Sequence, residues 1–268
     1  MTTPVETSTP KLLARIDDDG IGWLTFNNPE RRNAISLAMW EGLGGVLQRF
    51  QEDPSVRVIV MHGAGGKAFA SGADISEFDE LRANAEQRDQ YGKTAERGRV
   101  WLDKIDKPLI AMVQGFCIGG GLALSLSADV RFATTGSTFG VPAAKLGLGY
   151  DYGGVAALAR LVGPSSARDI LFSARFLAAD EALRIGLVNF VVGEDELEAK
   201  VRAYAAAIAR NAPLTVRAAK AAVKTFERYS RTDAAEVTAL VSACFDSEDY
   251  KEGRRAFAEK RPPVFQGR

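Results

Sequence analysis

The stretch Leu109-Ile-Ala-Met-Val-Gln-Gly-Phe-Cys-Ile-Gly-Gly-Gly-Leu-Ala-Leu-Ser-Leu-Ser-Ala128 decides how this chain folds. From Pro108 to Ala128 no residue carries a charge, so by length alone the segment is able to span a membrane. Its internal order argues otherwise. Residues 109–114 read as a short apolar strand, 115–121 as a glycine-rich turn, and Leu122 onward as a helix. Gln114, Gly115, the run Gly119-Gly120-Gly121 and two serines divide the apolar run, and a membrane span is rejected.

The same plan precedes it. Residues 56–62 are rich in β-branched residues and read as a buried strand. The glycine-rich stretch Gly63-Ala-Gly-Gly-Lys-Ala-Phe-Ala-Ser-Gly-Ala-Asp74 then leads into a helix, with Asp74 and Glu77 at capping-box spacing. Two strand–turn–helix units in series predict an α/β fold with stacked strands and helices outside. Upstream, residues 12–27 alternate weakly around a hairpin turn at Gly20, and 28–33 form a polar loop. Leu37, Trp40, Leu43, Val46, Leu47 and Phe50 recur at spacings of three and four, which predicts a helix from Ser36. Downstream, short strands are expected at 130–133 and 138–140, helices at 155–161, 167–173 and 180–185, and a strand at 187–192. From Glu196 the chain is helical, with Leu197, Val201, Tyr204 and Ile208 in one apolar stripe. The expected organisation is a disordered tail at 1–10, an α/β core at 11–195 and a helical oligomerisation region at 196–268.

Composition narrows the function. A chain of 268 residues buries roughly 70–75% of its unfolded surface and needs no disulfide or metal staple. Lys+Arg and Asp+Glu both number 34, so the basic surplus expected of a nucleic-acid-binding protein is missing. The two cysteines, Cys117 and Cys244, lie far apart in apolar contexts and suggest neither a disulfide framework nor a zinc site. His62 is the only histidine, so a metal site built on several histidines is excluded. The first ten residues lack the charged start and apolar run of a signal peptide, which points to the cytoplasm.

The two glycine-rich turns are the strongest chemical feature. Glycines let backbone N–H groups approach a ligand, and a helix starting there adds its positive end. Two such turns aimed at one point form a two-donor pocket for a developing oxyanion, where one donor is worth about 10²–10³ in rate. Phosphate binding and plain tight packing remain open alternatives, although no Walker Gly-Lys-Ser/Thr follows either turn.

At these residues the chain resembles a known family. Lys67-Ala-Phe-Ala-Ser-Gly-Ala-Asp-Ile75 is similar to the first signature of the enoyl-CoA hydratase/isomerase (crotonase) superfamily, and Gln114-Gly-Phe-Cys-Ile-Gly-Gly-Gly121 to the second. Residues 28–34, 179–188 and 257–265 fit as well, in order along essentially the whole chain. The resemblance implies a crotonase-like spiral of β-β-α turns, a helical C-terminal trimerisation region, and trimers that pair into hexamers. It implies an acyl-CoA thioester as ligand, its carbonyl oxygen held by the N–H groups of Ala73 and Gly120. Arg31, Arg32 and Ala34, with Ala70, Asp74 and Ile75, would cradle the coenzyme A. Lys260, from a neighbouring subunit, would approach its phosphate. No metal or redox cofactor is implied, and no nucleic-acid or membrane partner.

The chain departs from the family at the two glutamates that hydratases use on water. The first position is Ala123, and the second, after Phe139-Gly-Val-Pro142, is Ala143. One positioned acid or base is worth about 10²–10⁴ in rate, so ordinary hydration is expected to be slow. Asp151 resembles the aspartate of dienoyl-CoA isomerases and Tyr150 the tyrosine of methylmalonyl-CoA decarboxylases. The former lacks its partner glutamate, at Ala143, and the decarboxylase carries a histidine where this chain has Ala73. Other roles stand beside these: Asp151 as cap of a helix beginning near Tyr152, and Tyr150 and Tyr152 as pocket wall. Asp74 is expected to cap its helix, His62 to be structural and Cys117 to fill space beside its turn. Glu77, Asp79 and Tyr91 fall in the segment that roofs the acyl pocket. The favoured reading is an isomerase or decarboxylase; a catalytically silent acyl-CoA-binding protein is the alternative.

Overall fold

The computed structural model describes residues 2–74, 77, 85–146, 152–228, 243 and 246–268. Two sheets organise them. The larger has seven strands: β1 (Thr2–Val5), β2 (Leu12–Asp17), β3 (Ile21–Phe26), β4 (Val58–Gly63), β6 (Leu109–Val113), β8 (Val130–Thr134) and β11 (Phe190–Val192), in that spatial order. β1, β2 and β3 are antiparallel and every later neighbour is parallel. The smaller sheet runs β10 (Phe176–Ala178), β9 (Thr138–Gly140), β7 (Phe116–Ile118), β5 (Ala68–Ala70).

Three successive units, β4–β5, β6–β7 and β8–β9, thus give one strand to each sheet. Helices follow them: α2 (Ala85–Lys104), α3 (Gly120–Leu126) and α4 (Tyr152–Ser173), the last broken at Gly163 and Pro164. The α/β class and the β-β-α spiral expected from the sequence are the observed architecture. Residues 68–70 and 116–118, which look like parts of glycine-rich turns in the sequence, and 176–178, which carries no strand signal there, are strands of the small sheet. Each is a strand of three residues, too short to show a period of two. Tertiary pairing, not local pattern, makes them strands.

Side-chain alternation sorts the core. On one face of the large sheet, Leu24, Ile59, Met61, Leu109 and Ala111 pack with Phe69, Cys117 and Phe139 of the small sheet. α1 (Leu37–Glu52) covers the same core with Met39, Leu43, Leu47 and Phe50, and α2 lies against α1. The opposite face presents Ile21, Trp23, Val58, Val60, Ile110 and Phe132 to Leu197, Val201 and Ala205 of α6 (Leu197–Ala209). Parallel strands covered on both faces read as continuous apolar runs, as Val58-Ile-Val-Met61 does. α6 therefore forms a layer on the core itself, within the stretch expected to serve oligomerisation. Buried Asp17 fastens it, accepting hydrogen bonds from Trp23 Nε1 at 2.9 Å and Arg202 Nη1 at 2.7 Å. Burial raises this carboxyl, but the bonds from Trp23, Ile21 and Arg202 outweigh it and hold it below the usual range.

The expectation of a disordered tail at 1–10 needs correction. Thr2 to Val5 pair with Asp17 to Ala14, and Thr7 Oγ1 donates to the carbonyls of Thr9 and Leu12. The open edge of β2 offers unpaired N–H and C=O groups, and the polar, Thr-rich start of the chain satisfies them. The remaining helices are α5 (Ala179–Arg184), α7 (Pro213–Arg228) and α8 (Glu248–Glu259). Among the described residues no helix is long and apolar enough to cross a membrane, and 108–128 divides into β6, β7 and α3.

Candidate active site

Two chain segments meet at the C-terminal end of the small sheet. The first follows β5. Ser71 N donates to Arg32 O at 3.1 Å, Ile35 N to Gly72 O at 2.8 Å and Asp74 N to Ile35 O at 3.0 Å. This parallel bridge between Ile35 and Ala73 uses the groups flanking Ala73 and leaves its own N–H turned to the other side. The platform it rests on is the loop 28–35, in which Arg32 and Asn33 both have left-handed φ, 50° and 56°. Asn33 is fully buried and satisfied: Oδ1 accepts from Asn28 N, and Nδ2 donates to Ala64 O and to Ala68 O at 2.7 Å. Arg31 Nη1 reaches Asp74 Oδ1 at 3.0 Å and closes the clasp.

The second segment follows β7. Gly119 caps α3 with φ 55° and ψ −117°, a conformation that favours glycine, and donates its N–H to Gly140 O at 2.8 Å. Gly120 is the first helical residue, so its N–H has no acceptor within the helix. The two segments touch closely: a Cβ built on Gly121 would stand 2.0 Å from Ala70 O, and one on Gly120 would stand 3.5 Å from Ala73 N. Two partly exposed amides, neither with an acceptor among the described residues, therefore lie side by side next to a helix N-terminus. Chemically this is a site for an oxygen that gains negative charge.

Two alanines lie on or beside the element that carries Gly120. Ala123 lies on the first turn of α3, its N–H bonded to Gly119 O at 3.0 Å. Ala143 lies in the turn Pro142–Leu146, half-buried against the main core. The bond between Gly119 and Gly140 ties these two elements together, so methyl groups stand at both positions where a carboxylate was sought.

The structure brings together Arg31, Ala34, Ala70, Ala73, Asp74 and Gly120. Arg32 extends from the same loop, its guanidinium 4.7 Å over the Phe116 ring. Lys260 is not part of this group within one protomer. It is exposed at the end of α8, and the tail beyond it, at Phe265 O, accepts from Arg57 at the start of β4, the opposite end from Gly63. Ile75, Asp79, Tyr150 and Asp151 lie outside the described residues. Asp74 is 4% exposed and turned to Arg31, and its carbonyl accepts from Glu77 N at 3.1 Å. Glu77 belongs to α1: its Oε2 accepts from Leu37 N at 2.9 Å, beside Ser36, the N-cap. Tyr91 is buried on α2. His62 points to the opposite face of the large sheet, bonded to Thr25 Oγ1 at 2.9 Å and edge-on to Trp23. Burial, with Arg15 nearby, pushes its pKa down to about 4, so it is neutral and structural near neutral pH. Cys117 is fully buried, and burial pushes its thiol up to about 12, which leaves it unreactive. Asn33 was passed over in the sequence because its bonds are to carbonyls more than thirty residues away.

Three β-β-α units that share their strands between two sheets, with two amides adjacent where two of the units meet, define a fold of the crotonase type. The chain belongs to the enoyl-CoA hydratase/isomerase family, whose model matches residues 17–268. It is 37% identical to a short-chain-enoyl-CoA hydratase of Clostridium acetobutylicum over 242 residues, 89% of this chain and 91% of that one. It is 36% identical to the carnitinyl-CoA dehydratase of Escherichia coli, over 91% of this chain and 94% of the other. Among solved structures, an enoyl-CoA hydratase/carnithine racemase from Magnetospirillum magneticum superposes with a TM-score of 0.91 at 38% identity, covering 98% and 97% of the two chains.

Proposed function

We propose that this protein stabilises the enolate of an acyl-CoA thioester between the amides of Ala73 and Gly120, and that it carries out isomerisation or decarboxylation in preference to ordinary hydration. The observation that carries the reading is the pairing of these two amides with methyl groups at Ala123 and Ala143. Each amide donor aimed at the oxyanion is worth about 10²–10³ in rate. Neither alanine side chain carries a group that activates water. Decarboxylation needs no base: the bond to the carboxylate breaks, its electron pair enters the thioester as the enolate, and a proton then reaches the α-carbon. Isomerisation needs one base that removes a proton and returns it further along the acyl chain. Asp151 is the proposed base and Tyr150 the proposed proton donor or carboxylate anchor.

In this proposal Arg31, Arg32, Ala34, Ala70, Asp74 and Ile75 form the coenzyme A cradle, and Lys260 serves the phosphate of a neighbouring subunit's ligand. The proposed assembly is a homotrimer or a dimer of trimers, supported by exposed Phe172, Phe176, Leu183 and Phe226. The proposed location is the cytoplasm, and the proposal calls on no metal or redox cofactor. The two alanines also support a second reading, silent acyl-CoA binding.

The deciding experiment is crotonyl-CoA hydration and 3-enoyl-CoA isomerisation by wild type and Asp151→Asn. Hydration below about 1 s⁻¹ with isomerisation lost in Asp151→Asn supports the proposal. Hydration at ordinary enzymatic rates overturns the preference, in line with the hydratase and dehydratase names of the relatives. Tight binding of acyl-CoA without conversion of any ester supports the silent reading.

A further inference from the structure

We infer that Arg131, on β8, is a positioning residue of the amide hole, acting through α3. The inference rests on the reading of Ala73 and Gly120 as the hole.

α3 has seven residues, too few to hold itself in water, so its ends must be held by the rest of the molecule. Its first turn is held by Gly119 N–H on Gly140 O and by the contact of Gly121 with Ala70. Its far end is held by Arg131 and by Asp129, whose N–H donates to Leu109 O while its carboxylate accepts from Leu109 N. The Arg131 side chain is 4% exposed, and Nη1 donates to the carbonyls of Ser125 and Ala128, in and just beyond the last turn. Nε donates at 3.0 Å to Leu187 O, ahead of β11. The backbone on either side is equally fastened: Arg131 N donates to Asn189 Oδ1, and Asn189 N to Arg131 O.

Three features set this residue apart from an ordinary core fastener. Among the described residues all its side-chain hydrogen bonds go to neutral carbonyls, and the carboxylates of Asp129 and Glu227 act on the buried charge through space without a bond to it. A planar fork is the side chain that reaches carbonyls on two separate segments at once. The charge lies at the end of α3 where the helix dipole favours a cation, while Gly120 stands at the end that faces the ligand. Because Gly121 is wedged on Ala70, any slide or tilt of α3 changes the relation of Gly120 to Ala73. Arg131 thus sets the aim of one donor against the other without touching the ligand.

The test uses butyryl-CoA labelled with ¹³C at the thioester carbonyl, whose infrared stretch falls when the oxygen accepts strong hydrogen bonds, together with titration of free coenzyme A, which has no such carbonyl. Wild type is compared with Arg131→Met and Arg131→Lys. The expected result is a lowered stretch in wild type, loss of most of that lowering in Arg131→Met, an intermediate value in Arg131→Lys, and unchanged affinity for free coenzyme A. A wild-type stretch in folded Arg131→Met overturns the role of Arg131 alone. Loss of coenzyme A affinity in step with the stretch, or failure of both variants to fold, makes Arg131 a general structural residue and overturns it too. An unshifted carbonyl in wild type overturns the hole itself.

Discussion

The two amides proposed as donors of one hole are held by different means. Ala73 sits in a loop fastened by side chains: buried Asn33 beneath it and the Arg31–Asp74 clasp at its rim. Gly120 sits on a short helix fastened by main-chain contact at one end and by Arg131 at the other. A loop held by side-chain hydrogen bonds yields in steps, bond by bond. A helix wedged on a carbonyl with no side chain between moves only as a unit, when the fastening at one of its ends is lost.

That contrast places the largest effect at Gly121. Gly121→Ala brings a methyl within 2.0 Å of Ala70 O, which forces α3 off β5. We expect destabilisation of about 3 kcal/mol or more in thermal unfolding, and acyl-CoA turnover lowered by about 10²-fold or more. Normal turnover in this variant would show that α3 does carry slack, and would erase the distinction. On the loop side, Asn33→Ala removes the acceptor of Asn28 N and the donor to Ala64 O and Ala68 O, and imposes a φ of 56° on alanine. The expected cost is about 3 kcal/mol in denaturant unfolding, with a graded loss of turnover.

A third prediction uses the opposite face of the sheet as a control. His62 has its folded pKa lowered to about 4 from 6.5, so between these values the unfolded chain binds more protons than the folded one. Stability is therefore full above pH 6.5 and falls as the pH drops towards 4, by about 2–3 kcal/mol from this residue. His62→Gln should flatten that part of the stability profile while leaving the bound thioester carbonyl unchanged. A change in the carbonyl would mean that the two faces communicate. The smallest effect is expected at the rim. The Arg31 side chain is 54% exposed, so Arg31→Ala should cost under about 1 kcal/mol of stability, read from the melting temperature. A larger loss would make the clasp, and not Asn33, the main fastener of the loop.

The two glycine-rich turns were legible in the sequence as strand–turn–helix junctions, and the resemblance to the family's two signatures singled out Ala73 and Gly120 within them as the proposed donors. The parts that hold them were not. Asn33 looks like one polar residue in a polar loop, and Arg131 like a charge at the start of a strand, since their partners are carbonyls brought near by pairing of distant strands. Glu77 lies in the segment that the resemblance assigns to the pocket roof, and its bond to Leu37 N at the start of α1, across forty residues of chain, left no local mark.

The sequence by itself determined the α/β class, the large-sheet strands β2, β3, β4, β6 and β8, the helix α1 and the absence of carboxylates at Ala123 and Ala143. These follow from local periodicity, turn chemistry and residue identity. Only the tertiary structure decided the second sheet, the pairing of β1 with β2, the placement of α6 on the core and the meeting of Ala73 with Gly120. Those depend on backbone groups satisfied by segments far apart in the chain, and a hydrogen bond between distant carbonyls and amides leaves no mark in local side-chain pattern.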